Sequence, residues 1–218
     1  MKIYYRISNN SYKKNRLSNA TKQHCLNNFL QEFDRSENTI SIIADNVTDS
    51  ELDKFIDSKC KHNIIRENTK LNNAKSFRHC LRRACTETDD TENVYFAEDD
   101  YLYLPNAFNY LKEGLTISDY VTLYDHPDKY TPRYQGLQSQ ILVSNYCHWR
   151  TVPSSCGTFA IRAKTLKEDL DIHMGSLGDH NKFTLLAERN RHIISAMPAF
   201  ATHCVNPWTS PFRDWANV

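Results

Sequence analysis

Short, unbroken apolar runs alternate with stretches of helical spacing through the first half of the chain. Lys2 to Ile7 (KIYYRI) reads as a first strand, followed by the turn-forming Ser8-Asn9-Asn10-Ser11. From Asn19, the three- and four-residue spacing of Cys25, Leu26, Phe29, Leu30 and Phe33 predicts an amphipathic helix. Thr39 to Ala44 predicts a second buried strand ending at Asp45-Asn46, Asp49 to Phe55 a short helix, and His62 to Arg66 a third strand. Ala74 to Cys85 sets Phe77, Cys80, Leu81 and Ala84 on one helical face, with capping groups at Leu71-Asn72-Asn73. Val94 to Ala97 is a fourth apolar run, and Pro105 is placed to open a helix through Leu111. This alternation predicts an α/β fold with a Rossmann-type, mostly parallel central sheet flanked by helices.

The second half has a different grammar. Tyr120 to Tyr124 reads as a strand, and Gln140–Val143 and Tyr146–Val152 as a hairpin around Ser144-Asn145. Cys156 to Arg162 predicts another strand, Ala163 to Leu170 a helix, and Met174-Gly175-Ser176-Leu177-Gly178 a loop. Asp179 then sits where an N-cap belongs, ahead of a helix carrying Phe183, Leu185, Leu186 and Ala187. Ile193 to Ala201 is a last strand broken at Pro198, leading to His203 and an aromatic tail with Trp208, Phe212 and Trp215. With no repeat or low-complexity linker, one domain over 1–218 is expected: an alternating half to about 115 and a mixed half from about 116.

Composition narrows the setting. At 218 residues, 40% hydrophobic and 24% charged, the chain has an ordinary globular make-up and room for a full core. A net charge of +1 supplies no global field for nucleic acid or an anionic membrane. No apolar run reaches spanning length, and Met1 leads straight into the first strand without a signal-peptide core. Seven irregularly spaced cysteines without a CxxC argue for reduced thiols, so a cytoplasmic location is expected. The nearest His/Cys neighbours, such as Cys60/His62 and His203/Cys204, lack finger-like zinc spacing. Oligomeric state leaves no mark in the sequence.

Chemistry concentrates in Asn93 to Leu104 (NVYFAEDDYLYL), where a buried-type strand runs into Glu98, Asp99 and Asp100. Adjacent carboxylates repel, and apolar flanks sharpen the repulsion. At the C-terminal edge of a central strand, where open α/β sheets bind ligands, such a cluster suits a divalent cation; a solvated acidic turn is the other reading.

The order of these parts resembles the GT-A class of nucleotide-sugar glycosyltransferases, particularly the small bacterial and viral enzymes that build surface glycans. Glu98-Asp99-Asp100 is similar to that class's acidic DxD-type motif, with Glu in place of the first Asp. Cys156 to Arg162 is similar to the strand before its acceptor-side helix. The resemblance implies a metal-dependent, inverting transfer from a nucleotide diphosphate sugar, UDP-sugar favoured, to a glycan or glycoconjugate acceptor. Mn²⁺ or Mg²⁺ would neutralise the leaving diphosphate, held by Asp100, Glu98 and a late histidine, His203. Glu98 and Asp99 would turn to metal or ribose, and His203 would favour Mn²⁺. The nucleotide would meet Arg6, Ser8, Asp45, Asn73 and Ser76, with Ala74 allowing close approach. Asp179 would be the base that deprotonates the acceptor hydroxyl, a role compatible with its reading as a plain cap. Trp149, Trp208, Tyr134 and Tyr146 could stack on sugar rings, with core packing the default for each, and Lys129 and Arg133 could meet phosphate or acceptor, with a solvated loop the default for both.

Three rivals remain. A sugar nucleotidyltransferase normally carries a glycine-rich phosphate loop after its first strand, whereas this chain has Ser8 to Lys14 there and five glycines in all. A two-metal phosphohydrolase needs dispersed Asp/His ligands beyond one acidic cluster. A non-catalytic nucleotide- or glycan-binding module of the same fold is the third, because fold alone does not fix chemistry.

Overall fold

The structure, a computed structural model, describes residues 1–9 and 14–218. Its first half runs β1 (Lys2–Ile7), α1 (Lys22–Phe33), β2 (Thr39–Asp45), α2 (Ser50–Asp57), β3 (Ile64–Thr69), α3 (Asn73–Glu87) and β4 (Asn93–Glu98). The Asn10-Ser11 part of the predicted turn lies outside the described residues. α1 starts at Lys22 rather than Asn19 because the Thr21 hydroxyl caps it, accepting the His24 N–H at 3.1 Å. Asn72 caps α3 in the same way through the Lys75 N–H, 3.0 Å.

The second half comprises β5 (Tyr101–Tyr103), α4 (Ala107–Ile117), β6 (Tyr120–Thr122), β7 (Ile141–Val143), β8 (His148–Val152), β9 (Phe159–Arg162), α5 (Ala163–Glu168), α6 (Leu170–Met174), α7 (Asp179–Glu188), β10 (Ile193–Met197) and β11 (Ala201–His203). Pro105 does not open α4; Asn106 precedes it with φ 68°, a left-handed conformation that asparagine tolerates. The helix expected over 163–170 is two short ones, because Asp169 between them turns inward to accept the Tyr120 hydroxyl at 3.0 Å. The last strand divides around Pro198, and its two pieces join different sheets.

Among the described residues, nine strands form one sheet in the order β3-β2-β1-β4-β9-β6-β10-β8-β7. The β3-β2-β1-β4 part is parallel; β9 pairs antiparallel with both β4 and β6, β6 and β10 are parallel, and β10-β8-β7 are antiparallel. Helices cover both faces, so consecutive residues such as Tyr4 and Tyr5 are both fully buried. On one face α1 presents Phe29 and Phe33 to Tyr5, Tyr95 and Tyr103; on the other α3 presents Phe77 to Phe96 at 5.5 Å between ring centroids. β1 lies between β2 and β4, so the chain changes winding direction beside it, and a crevice opens at the carboxyl ends of β1 and β4. Among the described residues no helix is long and apolar enough to cross a membrane, and all seven cysteines are unpaired.

Candidate active site

Two adjoining cavities fill that crevice. The first, about 280 Å³, is lined by Arg6, Ser8, Asp45, Asn73 and Ser76 together with Glu98, Asp99 and Asp100. The second, about 350 Å³, adds Ala74, Lys182, Gly157, Asp179 and His203. Arg6, Lys14, Asn73, Glu98 and Asp100 line both. Residues expected at the nucleotide, at the metal and at the acceptor therefore open onto one continuous cleft.

Local structure explains each placement. Parallel pairing puts Arg6 of β1 beside Glu98 of β4, and the two form an ion pair. The same guanidinium donates to the Asn73 carbonyl at 2.9 Å and side-chain oxygen at 2.7 Å, tying the start of α3 to the sheet edge. Glu98 also accepts from the Thr158 hydroxyl at 3.4 Å. Asp45, at the end of β2, accepts from the Thr69 hydroxyl (2.8 Å) and the Leu71 N–H (2.6 Å), which fixes the loop leading to α3. Ser76 is buried, and among the described residues its hydroxyl lacks a hydrogen-bond partner beneath the first cavity.

The acidic turn is held from several sides. Asp99 meets Lys22 at 2.5 Å and accepts the Ser8 N–H at 2.7 Å. Burial pushes its carboxyl above the usual range, an effect Lys22 partly offsets. The carbonyl of Asp100 accepts the Cys204 N–H at 2.8 Å, while β5 and β11 pair antiparallel with Tyr101 opposite His203. This ribbon brings His203 Nε2 within 3.2 Å of Asp100 Oδ2, where Lys14 (3.2 Å) and Arg16 (3.5 Å) also converge. Burial alone would raise the Asp100 carboxyl, but His203, Lys14 and Arg16 outweigh it and hold it well below the ordinary value.

Across the cleft, Asp179 is the first residue of α7 rather than its cap: Gly178 occupies the cap position, and no side chain closes the turn. Burial raises the Asp179 carboxyl above the usual range, with Lys182 and then Arg6 pulling it back. Lys182, one turn on, is itself nearly buried, 5.9 Å from the centre of the Phe77 ring, and burial lowers its ammonium. Arg78 donates to the Gly175 carbonyl at 3.2 Å, anchoring the loop before α7 to α3.

Among the described residues no three His, Cys, Asp or Glu side chains are arranged to enclose a cation. Glu98 turns to Arg6 and Asp99 to Lys22, which leaves Asp100 and His203 as the pair of donors that meet. Two protein donors do not make an all-protein cage. They do fit a hard cation that completes its shell with substrate phosphate oxygens and water.

Sequence reasoning missed Lys14, Arg16, Lys22 and Lys182; the basic spacing from Lys13 to Arg16 was the one available signal. Trp149, a candidate for a sugar ring, is fully buried with its indole N–H on the Ser144 hydroxyl at 2.9 Å. Lys129, expected in a solvated loop, is buried against Asp128 and Tyr134.

No protein-family model and no curated protein matches the chain. Solved structures do. The first 349 residues of S. aureus TarS, in complex with UDP-GlcNAc, superpose with a TM-score of 0.58 at 17% identity, over 92% of this chain and 58% of that one. This chain thus spans less than two thirds of that TarS fragment. A protein of Desulfovibrio desulfuricans described as a nucleotide-diphospho-sugar transferase gives 0.51 at 12% identity, over 89% and 78%. The 4-diphosphocytidyl-2C-methyl-D-erythritol synthase of Anaerococcus prevotii gives 0.51 at 11%, over 89% and 86%. Likeness at these identities speaks for fold, and the chain has the GT-A-like fold of nucleotide-sugar transferases.

Proposed function

We propose that this chain is an inverting glycosyltransferase that moves a sugar from a nucleotide diphosphate sugar, with UDP favoured, to a glycan or glycoconjugate acceptor. The observation that carries this reading is the shared cleft: Asp100 and Asp179 line one cavity, which continues into a second ringed by Asp45, Asn73 and Ser76. TarS, a structural neighbour, is seen with UDP-GlcNAc, which supports the choice of nucleotide. Residues 1–218 act as one catalytic domain, with the nucleotide on the side of residues up to about 115 and the acceptor on the other. The unpaired cysteines support a reducing, cytoplasmic setting.

Base and ribose lie in the first cavity against Asp45, Asn73 and Ser76. The diphosphate crosses between the cavities, where Arg6 and Lys14, paired with Glu98 and Asp100 in its absence, would share in balancing its charge. Asp100 and His203 would hold a Mn²⁺ or Mg²⁺ ion, which when bound lowers the cost of the charge gathering on the departing diphosphate. The imidazole makes Mn²⁺ the better fit. Asp179 takes the proton of the acceptor hydroxyl as that oxygen attacks the anomeric carbon from the face opposite the leaving phosphate. It opens α7 at the cleft, and burial raises its carboxyl, which makes it a better base than an exposed aspartate.

The test is a panel of nucleotide sugars assayed for Mn²⁺-dependent donor hydrolysis, wild type against Asp100→Ala. Slow hydrolysis that disappears in the variant is expected; hydrolysis that survives both chelator and substitution removes the metal role. Likeness to the Anaerococcus prevotii enzyme favours nucleotidyl transfer as a second reading. Pyrophosphate released from a nucleoside triphosphate and a sugar phosphate, without nucleoside diphosphate from a nucleotide sugar, would establish that reading instead.

A further inference from the structure

The cations of the cleft fall into two groups. Arg6 pairs with Glu98, Lys14 and Arg16 with Asp100, and Lys22 with Asp99. Arg78 and Lys182 line the second cavity, and among the described residues neither belongs to an ion pair. Arg78 gives one N–H to the Gly175 carbonyl at 3.2 Å. Lys182 is 9% exposed, and among the described residues its ammonium makes no hydrogen bond; it lies 5.9 Å from the centre of the Phe77 ring. That ring is braced edge to face by Phe96 at 5.5 Å and already carries the Arg6 guanidinium at 5.0 Å.

A ring face is a weak substitute for an anion, and a buried ammonium without a counter-charge is costly. The charges around the second cavity show what would relieve that cost. Arg6 and Lys14 match Glu98 and Asp100, which leaves Arg78 and Lys182 against Asp179 alone. One positive charge is left over, and it becomes two when Asp179 takes a proton. A doubly charged diphosphate bound with a divalent cation adds no net charge, so the donor's leaving group does not use up this surplus.

We infer that Lys182 and Arg78 form a subsite for one anionic group, a carboxylate or phosphate carried by the sugar being transferred or by the acceptor. Two observations set this group apart from the diphosphate. Arg6 and Lys14, which the diphosphate would meet, line both cavities, whereas Arg78 and Lys182 line the second alone. Lys182 also follows Asp179 by one turn of α7, so a group held there lies beside the hydroxyl that reacts. The inference deepens the transferase reading and rests on it.

Calorimetry on the intact chain with Mn²⁺ present tests this in two arms. In the first, UDP-glucuronate and UDP-galacturonate are compared with UDP-glucose and UDP-galactose. In the second, with UDP saturating, glucuronate and glucose 6-phosphate are compared with glucose. At least one acidic ligand should bind about tenfold tighter than its neutral twin. A preference in the first arm puts the anion on the transferred sugar, and one in the second puts it on the acceptor. Lys182→Met, which keeps the buried stem and drops the charge, should abolish the preference; Lys182→Arg should retain it, and both variants should bind UDP alone as wild type does. No preference in either arm, or one untouched by Lys182→Met, overturns the subsite. So does a loss of UDP affinity in Lys182→Met as large as the loss for the acidic ligand, since the ammonium would then serve the diphosphate. Failure of the wild type to bind UDP strikes the transferase reading, whereas intact UDP binding without an acidic preference strikes only the subsite.

Discussion

Asp100 and Asp179 line the same cavity, and their surroundings drive them in opposite directions. Asp100 sits among His203, Lys14 and Arg16 and is held well below the ordinary carboxylate range; Asp179 faces the cleft without a hydrogen bond or ion pair among the described residues and is pushed above it by burial. Two carboxylates separated in this way are suited to different work. One remains charged at any physiological pH and can share its charge with a cation and a diphosphate. The other is more willing to accept a proton. The supports differ to match: the acidic turn is clamped by a β-ribbon and by pairing to α1, while the Asp179 loop is anchored by one Arg78 hydrogen bond.

The largest test of this contrast is Asp179→Asn, which keeps shape and removes basicity. Donor binding should persist while transfer to an acceptor falls by about 10² to 10⁴, the usual worth of a general base. Normal transfer by that variant would place the base elsewhere. The clamped side breaks through stability instead. Lys22→Ala leaves Asp99 buried without its cation and should cost about 3 kcal/mol in urea unfolding. Adding Asp99→Asn should recover much of that loss, and a double variant no more stable than the single one would show that the pair is not the cause.

The smallest effect is the most diagnostic. In the proposed role Asp179 acts ionised, so activity should rise with pH through its raised pKa, placing the acid limb above that of an exposed aspartate. Lys182 pulls that carboxyl down; Lys182→Gln should therefore move the limb to higher pH. A limb that stays put would mean that another group controls it.

Much of the cleft was legible because strands and helices write their periods locally. The run Val94 to Ala97 marked a buried strand, the acids after it marked a sheet-edge turn, and the Phe77 face marked α3. The GT-A resemblance then brought Arg6, Asp45, Asn73, Ser76, Asp179 and His203 to one crevice, where the structure also has them. Boundaries and partners were harder to read. Asp179 as a cap failed because Gly178 took that place, and the buried fate of Trp149 depends on pairing with β10, distant in sequence.

The sequence by itself determined the alternating α/β half, the acidic turn at the end of its central strand, and the switch to a mixed second half, because side-chain periodicity and turn chemistry act over a few residues. Only the tertiary structure decided which cation each acid faces, that His203 rather than Glu98 meets Asp100, and that Asp179 shares their cavity. Those outcomes depend on register between strands far apart in the chain and on the low dielectric of a packed interior, and no local pattern encodes either.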